Sequence, residues 1–395
     1  MVTIVVAPAR LFKPDAPVAD QVFGDSAGTL FGRARDQYFV YTGDGDSLVH
    51  GDAETLAGEA RGGRDSFSVQ GLGAVLGDAF ILTGKARGGE DHIVAKGLPD
   101  PLETLAVLGD GNDLTGRARG GDDTICAFGN VALVSGDGAL MTGSARGGDD
   151  RILSVGPSQF VLGDTTFAFD TVRCGDDRIT VKGEPQIVSG DGLYFFDATS
   201  GGSDRIEVDV EGAVLVYGDA ILLGITEDGS RSTARGGNDR LVVDADGGAS
   251  LYGDAESMIG RTKGGNDNLK GGDGDDLLLG DASERFDFAS GGNDVLNGGR
   301  GDDLLYGDSA FGDSTGATGA DRFVFGRYSG ADTIGDFETG KDKIDVRALG
   351  ITSTAGFASF TDDGTDTVIE FSPGNQVTVL GVLTTEFTSL DFIFA

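Results

Sequence analysis

Two closely similar stretches combine glycine, aspartate and leucine in a pattern that could bind metal ions. They are GGDGDDLLL at 271–279 and GGRGDDLLY at 298–306. Glycines let backbone carbonyls turn toward one point without steric cost, and the aspartate at the sixth position adds an anionic oxygen. Calcium is a hard cation that takes roughly six to eight oxygen ligands, so this chemistry suits it. The apolar eighth residue would anchor a short strand in a core.

The dipeptide Gly-Asp marks an internal repeat along most of the chain. Its spacing is 26 to 28 residues, except for two intervals of 32 and 35. The eleven glycines are Gly24, Gly51, Gly77, Gly109, Gly136, Gly163, Gly190, Gly218, Gly253, Gly280 and Gly307. An apolar residue stands two positions before each of them, from Val22 to Leu305. A period of 27 residues with two insertions therefore organises the sequence.

A second aspartate stands 14 residues after the Gly-Asp glycine in most copies. The series is Asp65, Asp91, Asp123, Asp150, Asp177, Asp204, Asp267, Asp294 and Asp321, and Asp239 joins it when its insertion is removed. An apolar residue follows each of these aspartates at the second position, as Ile152 follows Asp150. A helical repeat would show a 3.6-residue apolar period and far fewer than 69 glycines. The pattern predicts an all-β, parallel β-roll or β-helix solenoid of about eleven 27-residue repeats with a C-terminal β cap.

The number of residues in one coil stays open at this point. Coils of 27 residues would give a rod about 53 Å long, and coils of two nonapeptides would give one about 1.5 times longer. The insertions KGLPDPLETL, around 96–105, and TEDGSRST, at 226–233, are predicted to be loops.

The nonapeptides resemble those of the RTX family, calcium-binding β-roll proteins exported by type I secretion. The resemblance implies several bound calcium ions held between loops of successive coils. It nominates as ligands Gly271, Gly272, Gly274, Asp276, Gly298, Gly299, Gly301 and Asp303, with Gly291, Gly292 and Asp294 from the unit between them. The repeated aspartates from Asp65 to Asp267 and the turn residues Asp281 and Asp308 complete the candidate set.

The segment after the last repeat resembles the C-terminal cap and export region of type I secretion substrates. The matching residues are Asp321, Phe323, Phe325, Asp332, Thr333, Ile334, Asp336, Phe337, Lys343, Ile344 and Asp345. We therefore divide the chain into an N-terminal lead or cap at 1–23, the solenoid at 24–320, and a cap with secretion signal at 321–395. The resemblance implies a bacterial protein, secreted to the extracellular space or cell surface, with the type I secretion apparatus as a partner.

Basic residues precede the glycine pairs of most upstream repeats. They are Arg61, Arg87, Arg119, Arg146, Arg173, Arg235 and Lys263. One interpretation is that they neutralise neighbouring aspartates where ions are absent. The other is a basic stripe that binds an anionic polysaccharide or lipid headgroup.

The overall charge restricts the partners of the chain. The formal net charge is −35, which disfavours nucleic acid and anionic membranes and opposes folding unless cations arrive. We expect neither a cleavable N-terminal signal peptide nor a transmembrane segment. The two cysteines, Cys126 and Cys174, could form a disulfide or remain two thiols.

Enzyme signatures are present but lack their required context. GDSAG at 24–28 and GDSTG at 312–316 fit a nucleophile motif, but both lie in or beside Gly-Asp turns. The histidines are His50 and His92, at variable positions of the repeat. We expect a non-enzymatic scaffold in a surface layer, biofilm matrix or filament, which could self-associate. The alternatives are a secreted effector or membrane-acting protein, and an enzyme or polysaccharide-binding module on the solenoid face.

Overall fold

The computed structural model describes residues 20–98, 105–225 and 232–395. These residues form 37 β-strands, β1 to β37 in chain order, and three short 3-10 helices, Arg347–Leu349, Thr354–Gly356 and Ser389–Asp391. Equivalent residues of successive repeats pair in parallel, as Ile125 does with Ile152 and Ile152 with Ile179. The coil is therefore the 27-residue repeat itself, and the 18-residue alternative is wrong.

Each coil contributes one strand to each of three faces. Face 1 contains β7 (His92–Lys96), β10 (Thr124–Phe128), β13 (Arg151–Val155), β16 (Arg178–Lys182), β19 (Arg205–Val210), β22 (Arg240–Ala245), β25 (Asn268–Lys270), β28 (Val295–Asn297), β31 (Arg322–Val324), β33 (Lys343–Asp345) and β37 (Phe392–Ile393).

Face 2 follows face 1 around a short corner. It contains β1 (Asp20–Phe23), β8 (Leu105–Leu108), β11 (Val131–Ser135), β14 (Ser158–Leu162), β17 (Ile187–Ser189), β20 (Val214–Tyr217), β23 (Ala249–Tyr252), β26 (Leu277–Leu279), β29 (Leu304–Tyr306), β32 (Ala331–Ile334) and β36 (Asn375–Val379). Two long strands, β3 (Tyr38–His50) and β5 (Ser66–Leu76), contribute to both faces.

Face 3 is a separate sheet of eleven parallel strands, one per coil. It contains β2 (Ser26–Leu30), β4 (Ala53–Leu56), β6 (Ala79–Leu82), β9 (Gly111–Leu114), β12 (Gly138–Met141), β15 (Thr165–Ala168), β18 (Gly192–Phe196), β21 (Ala220–Ile225), β24 (Ala255–Met258), β27 (Ala282–Arg285) and β30 (Ser309–Gly312). The predicted eleven-coil solenoid is thereby confirmed. The two insertions fall largely outside the described residues.

The repeated apolar residues form the core between the faces. Ile152 on face 1 and Val161 on face 2 point inward and are almost completely buried, as their equivalents in neighbouring coils are. Face 3 contributes smaller or unbranched side chains, such as Met141 and Ala168. Because each coil presents the same inward residues, side chains stack in continuous rows along the axis.

The C-terminal residues close the solenoid with the predicted β cap. Strands β34 (Ser359–Asp362) and β35 (Thr367–Ser372) pair antiparallel with each other, and β35 pairs antiparallel with β36. Phenylalanine rings pack beneath them, with the Phe357 and Phe392 centroids 5.3 Å apart. This cap covers apolar strand surface that an open coil would expose. The predicted N-terminal lead lies mostly outside the described residues, and none of the described helices is long and apolar enough to cross a membrane.

Candidate metal centre

The aspartates at the corner between face 3 and face 1 form one continuous row, which we call the corner ladder. It comprises Asp65, Asp91, Asp123, Asp150, Asp177, Asp204, Asp239, Asp267, Asp294 and Asp321, and all are buried. Each carboxylate Oδ1 accepts a hydrogen bond from the backbone N–H of the ladder aspartate one coil earlier. The Asp123 N–H, for example, donates to Asp150 Oδ1 over 2.6 Å. The carboxylates are thus held at fixed positions inside the rod.

A second row of aspartates, the turn ladder, comes from the Gly-Asp turn itself. Its members are Asp52, Asp78, Asp110, Asp137, Asp164, Asp191, Asp219, Asp254, Asp281 and Asp308, again all buried. Each carboxylate accepts from the second glycine of the corner in its own coil, as Asp137 Oδ1 does from the Gly148 N–H over 3.1 Å. Of these aspartates the sequence nominated only Asp281 and Asp308. The signal for the others was the Gly-Asp dipeptide, which served there only to set the phase of the repeat.

The two ladders meet inside the rod. Carboxylate oxygens of Asp177, Asp191 and Asp204 lie within 4.8 Å of one another. Within the turn ladder, the carboxyl groups of Asp137 and Asp164 also make hydrogen-bonding contact. Two carboxylates in contact repel each other unless a proton or a cation lies between them.

One oxygen of nearly every corner-ladder carboxylate has no protein partner. The buried oxygens without a hydrogen bond are the Oδ2 atoms of Asp65, Asp91, Asp123, Asp150, Asp177, Asp204, Asp239, Asp267, Asp294 and Asp321. A buried acceptor without a partner costs free energy, and for an ionised group the cost is larger. A row of such oxygens, repeated coil after coil, matches what a series of bound cations would satisfy.

The electrostatic cost appears in the acidity of these groups. Burial raises the pKa of both Asp65 and Asp123 to about 8. For Asp137, burial and then repulsion from Asp110 and Asp150 raise the pKa well above its usual range. Without metal, these carboxyls would hold protons near neutral pH. A cation would allow them to ionise by replacing the protons.

The glycine pair at the corner is required by close approach. A Cβ added at Gly148 would lie 1.5 Å from the carbonyl oxygen of Gly121, so the backbones of adjacent coils could not approach as they do. A Cβ added at Gly147 would lie 1.5 Å from Asp164 Oδ1. The first glycine thus keeps open the space between successive turn-ladder carboxylates.

The donor chemistry of this corner fits calcium. The inward groups are carboxylate oxygens, they are anionic, and glycines leave the surrounding space open, which is the ligand set calcium prefers. Bound calcium would neutralise both ladders and satisfy the free Oδ2 atoms. The corner-ladder and turn-ladder aspartates are the residues that could hold it.

The two nonapeptides lie at a different corner, between face 1 and face 2. Asp276, Asp303 and Asp332 form a short row there, which we call the loop ladder: the Asp276 N–H donates to Asp303 Oδ1 over 2.9 Å, and the Asp303 N–H to Asp332 Oδ1 over 3.1 Å. The Oδ2 of Asp303 is buried without a partner, and burial raises the pKa of this residue to about 7.

The glycines of the nonapeptides surround these carboxylates. A Cβ added at Gly271 would lie 2.1 Å from Asp276 Oδ2, and one at Gly298 would lie 1.9 Å from Asp303 Oδ2. Gly274, Gly299 and Gly301 have positive φ, which glycine adopts at little cost. The Gly272 N–H donates to Asp276 Oδ2.

The candidates from the intervening unit do not join this loop. Gly291, Gly292 and Asp294 belong to the corner between face 3 and face 1, where the Gly292 N–H donates to Asp281 Oδ1 over 2.7 Å. The expectation of one run of ligand loops between 271 and 303 is therefore wrong. The candidates divide between two corners because a 27-residue coil places every third nonapeptide at the same corner.

One arginine enters the turn ladder near its C-terminal end. The Arg285 Nη1 lies 3.3 Å from Asp281 Oδ2 and 3.0 Å from Asp308 Oδ1, and its side chain is only 5% exposed. The equivalent residue one coil earlier is Met258. Arg285 therefore places a side-chain cation between two carboxylates of successive coils. Its signal in the sequence was a basic residue at an otherwise apolar position of face 3.

The predicted row of basic residues does not serve this purpose. Arg61, Arg87, Arg119, Arg146, Arg173, Arg235 and Lys263 align in register at isolated parallel bridges, and all are exposed. Among the described residues, none of these seven forms an ion pair with an aspartate or glutamate. The interpretation that they neutralise the aspartate rows is therefore wrong, because the carboxylates point inward and the basic side chains point outward.

The residues of the enzyme-like motifs make structural contacts. The His50 ring stacks on Phe23 with centroids 4.6 Å apart, and burial lowers the pKa of His50 to about 4. The Ser26 hydroxyl accepts from the Gly28 N–H, and the Ser314 hydroxyl donates to the Ala289 carbonyl over 2.6 Å. Cys126 and Cys174 are free thiols, so no disulfide joins them.

Comparison with known families supports the metal-binding reading. Residues 262–395 match the family model described as Peptidase M10 serralysin C terminal, and no protease domain is part of that match. A search of curated proteins finds no match to the chain. Proteins with serralysin-type repeats are secreted and bind calcium, which supports a secreted, calcium-binding repeat protein here. The match and the parallel β-solenoid together identify an RTX-type repeat protein.

Proposed function

We propose that the protein is a non-enzymatic extracellular scaffold whose solenoid folds when calcium binds to its aspartate ladders. The observation that carries this proposal is the corner ladder, in which ten successive carboxylates are buried with an Oδ2 atom lacking a partner. Low calcium inside the cell would leave these carboxylates repelling one another and the chain open for export. Higher calcium outside would neutralise them and fold the rod.

The scaffold role is supported by how the interior is used. Apolar rows and aspartate ladders fill the inside of the described coils, so the metal sites stiffen the rod along its length. A buried His50 with a pKa of about 4 is a poor general base near neutral pH. We assign residues 321–395 to the cap and export region and expect the type I secretion apparatus to recognise them.

Electron microscopy of the full chain, with calcium and with chelator, tests this role. We expect calcium to produce rods about 53 Å long or longer, at roughly 4.8 Å per coil, that associate into filaments or layers as concentration rises. The matched variants are Asp150→Asn in the corner ladder and Asp149→Asn, which is exposed next to it. Only the first should raise the calcium needed for assembly. Single rods at every concentration would contradict the scaffold role, and leakage from lipid vesicles would favour a membrane-acting protein.

A second candidate function rests on the exposed basic row. Arg87, Arg119, Arg146 and Arg173 project from four successive coils without ion pairs, on a chain whose net charge is −35. A line of positive charge parallel to the rod axis fits an extended anionic polysaccharide that lies along the corner. Such binding would add a cell-surface partner to the scaffold role.

Binding of polygalacturonate, with neutral dextran as control, tests this second function. We expect calcium-folded protein to bind polygalacturonate, and binding to weaken as salt screens the charges. The double variant Arg119→Glu, Arg146→Glu should abolish binding. The control Arg151→Glu, Arg178→Glu changes an equally exposed pair on face 1 and should bind normally. Equal loss in both variants would show that only net charge matters.

A further inference from the structure

One coil carries a thiol where the neighbouring coils keep a glycine. The first residue of the corner pair is glycine at Gly62, Gly88, Gly120, Gly147, Gly201, Gly236, Gly264 and Gly291, but it is Cys174 in the coil that begins at Gly163. The neighbouring glycines show what this position faces. A Cβ at Gly201 would lie 1.7 Å from Asp219 Oδ1 and 2.5 Å from Asp191 Oδ2. A side chain here therefore enters the space between successive turn-ladder carboxylates.

Cys174 occupies that space between Asp164 and Asp191. The Sγ atom and one carboxylate oxygen from each aspartate all lie within 4.8 Å of one another. Both aspartates are fully buried. Three atoms this close, on residues of two successive coils, are spaced as ligands of a single ion would be.

Unpartnered oxygens face the same region from the corner ladder. Asp191 is also part of the cluster with Asp177 and Asp204. Asp177 and Asp204 are 3% and 2% exposed, and the Oδ2 of each is buried without a hydrogen bond. These oxygens can complete a ligand set that the thiol begins, with Asp191 shared between the two clusters.

The thiol changes which metal this coil prefers. Calcium takes oxygen ligands, whereas sulfur donors select softer ions such as zinc and its analogues cobalt and cadmium. We propose that Cys174, Asp164 and Asp191, together with an Oδ2 of Asp177 or Asp204, form a zinc-class site distinct from the all-oxygen sites of the other coils. The Cys174 thiol loses its proton to solvent when the metal–sulfur bond forms.

Cobalt(II) added to the calcium-saturated full chain tests this site. We expect tight cobalt binding with a near-ultraviolet sulfur-to-cobalt charge-transfer band, both displaced by zinc. The variant Cys174→Gly, which restores the glycine of the other coils, should lose the band and weaken zinc binding by about 100-fold or more, beyond the loss typical of outer-shell changes. Cys126→Ser should keep the band, because Cys126 lies on a face 1 strand between Val94 and Leu153.

A second measurement uses the unaltered chain. Zinc should protect Cys174 from alkylation, as read by peptide mapping, and leave the reactivity of Cys126 unchanged. Cys174→Ser provides a variant of similar size that should keep calcium-dependent folding and lose the zinc preference. Absence of a thiolate band in the folded chain, retention of the zinc affinity in Cys174→Gly, or equal alkylation of Cys174 with and without zinc would overturn the proposal.

Discussion

Replacing Asp123 by asparagine should have opposite effects on stability with and without calcium. Asp123 is 1% exposed, and its Oδ1 accepts from the Asp91 N–H over 2.6 Å. An asparagine keeps an oxygen to accept this bond but removes the charge and one anionic ligand. The matched control is Asp122→Asn, the same change on the exposed neighbour.

The magnitude follows from the acidity of Asp123. Burial raises its pKa from 3.8 to about 8, so between these values the folded chain holds a proton that the unfolded chain has released. At pH 7 this linkage costs the metal-free fold up to about 4 kcal/mol, at ~1.4 kcal/mol per pH unit. Asparagine removes that cost. In saturating calcium the same variant loses a ligand, and each tenfold loss of affinity costs about 1.4 kcal/mol.

Urea unfolding followed by circular dichroism, in chelator and in calcium, measures both effects. We expect Asp123→Asn to unfold at a higher urea concentration than wild type in chelator and at a lower one in calcium. If the metal-free chain is unfolded at pH 7, the comparison is made at the lowest pH at which wild type unfolds cooperatively. A loss of stability of equal size in both conditions, or the same pattern in Asp122→Asn, would refute the metal role of the corner ladder.

Three further outcomes follow from the same geometry. The metal-free chain should gain stability as pH falls from about 8 toward 4, because carboxyls such as Asp65 and Asp123 have folded pKa values near 8; a pH-independent urea midpoint in chelator would contradict this. Arg285→Met, which copies Met258 of the preceding coil, should cost about 3–5 kcal/mol at limiting calcium and admit an additional calcium ion at saturation; unchanged stability and stoichiometry would show that Arg285 does not replace an ion. Gly148→Ala should destabilise the calcium form by about 3 kcal/mol or more, since its Cβ would meet the Gly121 carbonyl, while Gly212→Ala, with no atom within 4 Å of its Cβ, should change the thermal midpoint little.

The repeat itself was predictable from the sequence, because a parallel solenoid must stack equivalent residues. The phase of Val161 and Ile152 relative to Gly-Asp correctly placed both in the core. The coil length was not predictable from the nonapeptides, since two of them fit an 18-residue coil equally well. Pairing of Leu278 with Leu305 decides it, and that pairing depends on the third face, which the nonapeptide motif does not encode.

The candidate site was predictable in part, for reasons specific to each ladder. Asp150 stood out because its spacing from Gly-Asp is constant, whereas Asp137 was hidden in a dipeptide that commonly makes turns. The direction of a side chain was the harder problem: Arg146 and Asp150 are four residues apart, yet one points outward and the other inward. The insertion of Arg285 between Asp281 and Asp308 depends on packing across two coils, which no local pattern reveals.

A calcium titration of the metal-free chain at neutral pH tests the central claim most directly. Far-ultraviolet circular dichroism would follow folding while calorimetry counts the bound ions. We predict a cooperative gain of β-structure as several calcium ions bind per chain. A β-spectrum that is the same in chelator and in calcium, with no calcium bound, would contradict the account.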